Sequence, residues 1–346
     1  MRNNYAGSET VSTGPVDLGR WGETLLGWAM LANIESLQKF SDPQITAKGE
    51  RRAAVGLRAL ETLWFNTGTL CNITCANCYI ESSPRNDRLA YLTLADVSRY
   101  LDEIERDRLP VELIGFTGGE PFMNPEFPAI LETTLARGFQ TLTLTNAMRP
   151  MTRRKAQIAA FAGRYGGRLR LRVSLDDWRQ TVHDAERGAG SFEKTLAGLA
   201  WLTGAGAAVE IAGRFLSGDD EAAIRAGYAG LFAQHGIAVD CADPMALVLL
   251  PEMSPEADPP EITEACWGIL HKSPEDVMCA SARMVVKRKG ADAPAVLACT
   301  LIPYDERFEL GASLREASGS VALNHKYCAT FCVLGGAVCG KPRSES

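Results

Sequence analysis

The sequence predicts an α/β protein: a partial (β/α)6 barrel followed by a small cysteine-rich α+β extension. Two observations lead there. From about Glu61 to Met253, strand-like and helix-like segments alternate six times, which implies a parallel sheet with helices outside it. After about Met253 the segments shorten, and six of the ten cysteines follow, at 266, 279, 299, 328, 332 and 339. The expected organisation is a helical N-terminal extension over 1–60, the barrel over 61–253 and the cysteine-rich unit over 254–346.

Each element has its own signal. The strands are TLWFNTG (62–68), VELIGFTGG (111–119), TLTLTNA (141–147), LRLRVSLDD (169–177), AVEIAGRF (208–215) and MALVLLPEM (245–253). Between them, helical periodicity runs over 92–108, 127–138, 152–166, 191–206 and 220–236. Gly138 stops the second of these and Ser191 is a candidate cap for the fourth. Right-handed crossovers curl such units into a full or partial TIM-like barrel, with reactive groups at the C-terminal ends of the strands. WGETLLGWAMLANI (21–34) is too short to span a bilayer and carries Glu23, so it reads as an amphipathic helix docked on the body. PEADPPEI (255–262) reads as a linker.

Composition narrows the function. The chain has 346 residues, is 46% hydrophobic and has a net charge of -6, a globular profile with no electrostatic footprint for nucleic acid. Its densest basic run, Lys287-Arg288-Lys289, reads as a solvated turn. The first residues, MRNNYAGSETVSTGP, are polar, so neither a secretory signal nor a membrane partner is expected and the location is cytoplasmic. There, cysteines serve as metal ligands or buried thiols more often than as disulfides.

The first barrel strand leads into CNITCANCY, with Cys71, Cys75 and Cys78 spaced C-x3-C-x2-C and no fourth cysteine before Cys241. Close thiolates select zinc or iron–sulfur clusters. A structural zinc site takes four ligands, so three fit it poorly. A cubane of four irons can take three thiolates and leave one iron open for another ligand.

In this triplet the sequence resembles the radical SAM enzymes. The resemblance continues through TGGEP (117–121), TNA (145–147), SLD (174–176) and HDAERGAGSFEKTLAGL (183–199), and covers roughly 61–253. Two positions depart from the family pattern: Asn77 stands where many members have an aromatic residue, and Ala147 where glycine is common. The resemblance implies a [4Fe-4S] cluster on Cys71, Cys75 and Cys78, with S-adenosylmethionine chelating the fourth iron. One electron from a flavodoxin- or ferredoxin-type donor would cleave the sulfonium bond, and the resulting radical would abstract hydrogen from a substrate C–H. In that role Gly118 and Gly119 let backbone approach the methionine amine, Pro121 stiffens the turn, and Glu120 orients the loop or contacts the amine. Asn146, Ser174 and Asp176 are candidates for the ribose and methionine ends, and Arg214 for the methionine carboxylate. Each also has a bland reading as a turn, a cap or a salt bridge. Tyr79, Glu81, Arg214 and Glu252 lie near strand ends and are equal candidates for hydrogen donor, acid or base. The run 81–87, ESSPRND, suits a loop over the cluster or any exposed loop.

The tail resembles the Twitch or SPASM extensions of that family. Cys279, Gly290 and Cys299 match the cysteine–hairpin–cysteine half, and Cys328 with Cys332 the later pair, with one extra spacer. This implies one auxiliary [4Fe-4S] cluster, with Cys339 replacing a ligand or sitting nearby. Buried thiols, or zinc on His325 with Cys328, Cys332 and Cys339, are the alternatives. Cys241 and Cys266 read as buried small hydrophobes. For the reaction, a two-electron oxidation or rearrangement of a small molecule is favoured over modification of a ribosomal peptide, because 1–60 shows no hairpin signal of a leader-gripping module. A pure iron–sulfur electron carrier is a third reading; it would make no 5'-deoxyadenosine.

Overall fold

The computed structural model describes residues 38–215, 220–254 and 256–336. The short strand β1 (Ala54–Val55) precedes six parallel barrel strands: β2 (Thr62–Asn66), β3 (Leu113–Thr117), β4 (Gln140–Thr145), β5 (Leu169–Ser174), β6 (Ala208–Phe215) and β7 (Leu247–Pro251). They lie side by side in sequence order, so each crossover joins neighbours and the barrel stays open at β7. At the other edge β8 (Ala282–Val286) pairs parallel to β2, and β9 (Ala295–Leu297) and β10 (Glu309–Gly311) extend the sheet antiparallel. The β8–β9 hairpin turns at Gly290, φ +81°.

Residue alternation explains the layering. On β2, Leu63 and Phe65 face outward into a core shared with Ile114, Phe116, Leu171 and Val173, while Trp64 points inward with Leu113, Leu142 and Met284. The outer core is closed by helices α1 (Leu94–Asp107), α2 (Phe127–Ala136), α3 (Arg149–Thr152), α4 (Lys155–Tyr165), α5 (Gln180–Arg187), α6 (Ser191–Gly204) and α7 (Glu221–His235). Helix α1 buries Val97, Tyr100, Leu101 and Ile104 at helical spacing and starts with a Thr93–Asp96 capping box.

Five expectations change. The six strands and five helices sit where the sequence put them, but α3 and α5 were not expected. Ser191 is not the cap of α6: the cap position is Gly190, φ +72°, and Asp184 of α5 accepts the N–H groups of Gly190 and Phe192 and the Ser191 hydroxyl. The described part of the N-terminal segment, 38–60, contains strand β1 and no helix; 1–37, with 21–34, lies outside the described residues. Strand β1 pairs with β11 (Val321–Ala322), and buried Arg52 meets Glu261 at 2.5 Å. Residues 256–262 are therefore pinned to 38–60 rather than part of a free linker. The basic run at the β8–β9 turn is fully paired, Lys287 with Asp96, Arg288 with Glu309 and Lys289 with Asp87.

Candidate active site

The loop after β2 is seated by backbone contacts. Gly119 donates its N–H to the Gly68 carbonyl at 2.8 Å, and Glu120 to that of Leu70 at 3.2 Å. A Cβ at Gly119 would fall on the Leu70 carbonyl group, 2.5 Å from its carbon, and one at Gly118 would lie 2.5 Å from the Gly68 oxygen. These two glycines are thus required by the approach of the β3 loop to the cysteine loop. The 81–87 run closes the far side: Ser82 donates its N–H to Cys78 Sγ at 3.2 Å and Cys71 donates its own to the Ser83 carbonyl.

Cys71, Cys75 and Cys78 line one cavity of about 180 Å³ at the C-terminal ends of the strands. Thr117, Gly118, Gly119, Asn146, Ser174, Asp176 and Arg214 share its walls. Burial pushes the Cys71 thiol up to about 12 and that of Cys75 up to about 11, so without metal both stay protonated at neutral pH.

Glu120 and Pro121 do not line the cavity. Pro121 opens a 3-10 turn, Pro121–Met123. Glu120, 1% exposed, accepts from the Thr145 hydroxyl at 3.0 Å and from the N–H groups of Asn146 at 2.9 Å and Phe122 at 3.3 Å. Burial pushes its carboxyl up to about 7, against those hydrogen bonds. Through these bonds Glu120 ties the β3 loop to Thr145 and Asn146 at the end of β4. Asn146 donates to Asn72 Oδ1 at 2.9 Å, with Cys71 Sγ 4.0 Å away. Ala147 adopts φ +58°, the left-handed backbone that makes glycine common at this place.

Across the cavity lies a charge network the sequence reading did not resolve. Arg187 grips Asp176 through both carboxylate oxygens, at 2.5 and 2.9 Å. Burial pushes the Asp176 carboxyl up, but Arg187 and Arg214 together hold it below its ordinary value. Glu186 accepts from Asn77 N at 2.7 Å, Asn77 Nδ2 at 3.0 Å and Arg214 Nη2 at 2.8 Å. Asn77 thus replaces the family's aromatic residue with a clasp between the cysteine loop and α5. Arg214 Nη1 is buried with no partner among the described residues. The HDAER stretch held the signal for Glu186 and Arg187: adjacent opposite charges on a helix beside the site. Tyr79 lines the cavity and donates to the Pro251 carbonyl at 3.0 Å, whereas Glu81 and Glu252 are exposed and off its walls.

A second, smaller cavity of about 20 Å³ is lined by Cys279, Cys299, Cys328 and Cys332. Cys328 and Cys332 lie on the π-helix Cys328–Leu334, where four residues make nearly one turn, so the extra spacer keeps both on one face. Buried Arg283 donates to the Cys279 carbonyl at 2.5 Å. Burial pushes the Cys279 thiol up to about 11 and that of Cys328 to about 12. Cys339 lies outside the described residues, and Cys241 and Cys266 lie off both cavities. Thr300, Leu301 and Phe331 face the first cavity while Cys299 and Cys332 face the second. Among the described residues no three His, Cys, Asp or Glu side chains converge on a single ion. A cubane asks for no such convergence, since each thiolate takes a different iron.

Residues 65–218 match the family model described as the Radical SAM superfamily. The chain carries a radical SAM domain. It is 29% identical over 203 residues to the antilisterial bacteriocin subtilosin biosynthesis protein AlbA of Bacillus subtilis (strain 168), covering 57% of this chain and 42% of that protein. It is 29% identical over 164 residues to the mycofactocin maturase MftC of Mycolicibacterium smegmatis (strain ATCC 700084 / mc(2)155), covering 47% and 38%. The chain thus spans less than half the length of these relatives. Among solved structures, Streptococcus suis SuiB bound to S-adenosylmethionine superimposes with a TM-score of 0.53 at 12% identity, over 74% of this chain and 64% of that one. The anSMEcpe structure with bound AdoMet gives 0.52 at 13%, over 77% and 82%. At such identities these show the shared fold.

The cofactors of the radical SAM superfamily are a [4Fe-4S] cluster and S-adenosylmethionine, and the first cavity fits both. Three thiols share one wall. Thr117, Gly118 and Gly119 bring backbone polar groups to it, and Arg214 offers an unused N–H. The cysteine-rich tail is consistent with a SPASM-like extension. Among the described residues no helix is long and apolar enough to cross a membrane.

Proposed function

We propose that this chain is a radical SAM enzyme that modifies a peptide, with Cys71, Cys75 and Cys78 holding the [4Fe-4S] cluster and Cys279, Cys299, Cys328 and Cys332 an auxiliary one. The observation that carries the chemistry is the convergence of all three loop cysteines on the cavity that also holds Asn146, Asp176 and Arg214. When bound, the cluster and S-adenosylmethionine supply one-electron cleavage of a sulfonium bond and hydrogen abstraction from a C–H. The chain's own residues position and shield. Arg214 offers Nη1 to a carboxylate, Asn146 and Ser174 offer hydrogen bonds, and Arg187 fixes Asp176. Tyr79, Leu301 and Phe331 wall the cavity on the side of the tail, which keeps water from a reactive intermediate.

The peptide substrate is supported by the relatives. One is named for biosynthesis of a bacteriocin, a peptide product, and another as a maturase. The small-molecule reaction favoured from the sequence is supported by a shorter match, to an S-adenosylmethionine-dependent nucleotide dehydratase over 22% of this chain, against 57% and 47% for the two relatives above. The test is to incubate the iron-loaded protein with S-adenosylmethionine, titanium(III) citrate and a peptide encoded beside its gene. The expected result is 5'-deoxyadenosine together with a mass change in the peptide. Turnover with an unaltered peptide, repeated across neighbouring candidates, would refute the substrate class. Absence of 5'-deoxyadenosine would refute the chemistry.

A further inference from the structure

A cleft of about 560 Å³ opens at the cysteine loop, where Asn72 lines it, and shares no lining residue with the first cavity. Its walls include Arg149, Arg153 and Arg154, together with Met123 and buried Phe122. None of the three guanidinium groups has an ion pair or hydrogen bond among the described residues. No carboxylate lines the cleft. That is unlike the other basic cluster of the chain, at the β8–β9 turn, where every charge is matched. On a chain of net charge -6, an unmatched group of three arginines creates a local positive field that attracts acidic partners.

The place of the cleft says which partner. Asn72 is bonded in sequence to Cys71, and its side chain accepts from Asn146, which reaches the first cavity. One residue therefore has the cleft on one side and a loop cysteine on the other. The chemistry proposed above consumes one electron for each S-adenosylmethionine cleaved, and neither the chain nor S-adenosylmethionine supplies it. Arginine beside half-buried Met123 and exposed Pro125 also suits a protein face more than a small anion.

We infer that the Arg149/Arg153/Arg154 cleft is the docking surface for an acidic one-electron carrier protein of the flavodoxin or ferredoxin type. The carrier loses one electron and the metal centre on Cys71 gains it; no bond forms or breaks at the surface. This inference rests on the radical SAM reading, and its test separates the two.

Binding is measured first, with oxidised flavodoxin and, separately, an acidic [2Fe-2S] ferredoxin as probes, on the iron-loaded protein at about 0.05 M and about 0.5 M salt. The variants are R149E/R153E/R154E and the milder R149Q/R153Q/R154Q. Wild type should bind at least one probe, and at least about tenfold more weakly at high salt; the charge reversal should cost at least about tenfold at low salt, with the glutamine variant in between. Cleavage of S-adenosylmethionine driven by the reduced carrier should fall in step, while cleavage driven by titanium(III) citrate stays within about twofold of wild type. Wild-type binding to neither probe, unchanged binding in the variants, or a parallel loss with titanium(III) citrate would overturn the docking site. Equal binding of an acidic polyglutamate peptide, with no effect of the variants on carrier-driven turnover, would overturn it in favour of a peptide. Failure of wild type to turn over with titanium(III) citrate would instead refute the radical SAM reading, with the binding result standing separately.

Discussion

Adding one methyl group at Gly119 tests how the cysteine loop is seated. In Gly119→Ala the new Cβ meets the Leu70 carbonyl group, its carbon 2.5 Å away and the Thr69 oxygen 2.8 Å away. These are backbone atoms, so no rotamer change relieves the clash, and the loop must move by roughly 1 Å. That displacement strains the hydrogen bonds from Gly119 N to Gly68 O and from Glu120 N to Leu70 O. Each is worth about 1 kcal/mol, and overpacking adds about 1–3 kcal/mol, so the loop is expected to lose roughly 3–5 kcal/mol of docking free energy. Gly163→Ala is the matched control. It makes the same chemical change inside α4, with nothing within 4 Å, and should stabilise by about 0.5–1 kcal/mol. Denaturant melts of both variants and their iron content after reconstitution provide the assay. Gly119→Ala should melt earlier and bind less iron, and Gly163→Ala should do neither. A Gly119→Ala protein with wild-type stability and iron would refute the argument that loop contact requires glycine there.

Three further outcomes follow from the geometry. Glu120 has its folded-state pKa raised to about 7 from 4.5. Its protonated form is therefore favoured on folding, and the metal-free protein should lose stability as pH rises from about 4.5 to about 7, by at most about 3 kcal/mol. Glu120→Gln should flatten that part of the pH profile, and an unchanged slope would contradict the assignment. Arg214→Lys keeps the charge but loses the forked donors, so S-adenosylmethionine binding measured by equilibrium dialysis should weaken about tenfold or more at unchanged iron content; unchanged affinity would remove Arg214 from the site. Arg187→Met strips buried Asp176 of its bidentate partner, and should cost about 3–5 kcal/mol by denaturant melting. An Asp176→Asn/Arg187→Met double variant should recover part of it, and no recovery would contradict the coupling.

Local signals were legible in the sequence. Alternating apolar runs placed six strands, because each has one face on helices and one in the barrel. The cysteine, glycine and asparagine motifs fell at strand ends and do meet in one cavity. Four tail cysteines, two flanking a hairpin and two in the later pair, do share a second. Long-range pairings were not legible. That Glu120 turns away from the cavity depends on Thr145 and Asn146, more than 20 residues later. The clasp of Asn77 by Glu186 and the pairing of β1 with β11 join segments whose proximity no periodicity encodes. Ser191 reads as a cap in isolation and loses that role because α5 presents Asp184 first.

The most direct test of the central claim is a count of iron and sulfide in anaerobically reconstituted protein, set beside a Cys71/Cys75/Cys78 triple alanine variant and a Cys279/Cys299/Cys328/Cys332 quadruple alanine variant. The account predicts about eight irons in wild type and about four in each variant. Zinc in place of iron, or a triple variant that keeps the full wild-type iron, would contradict it.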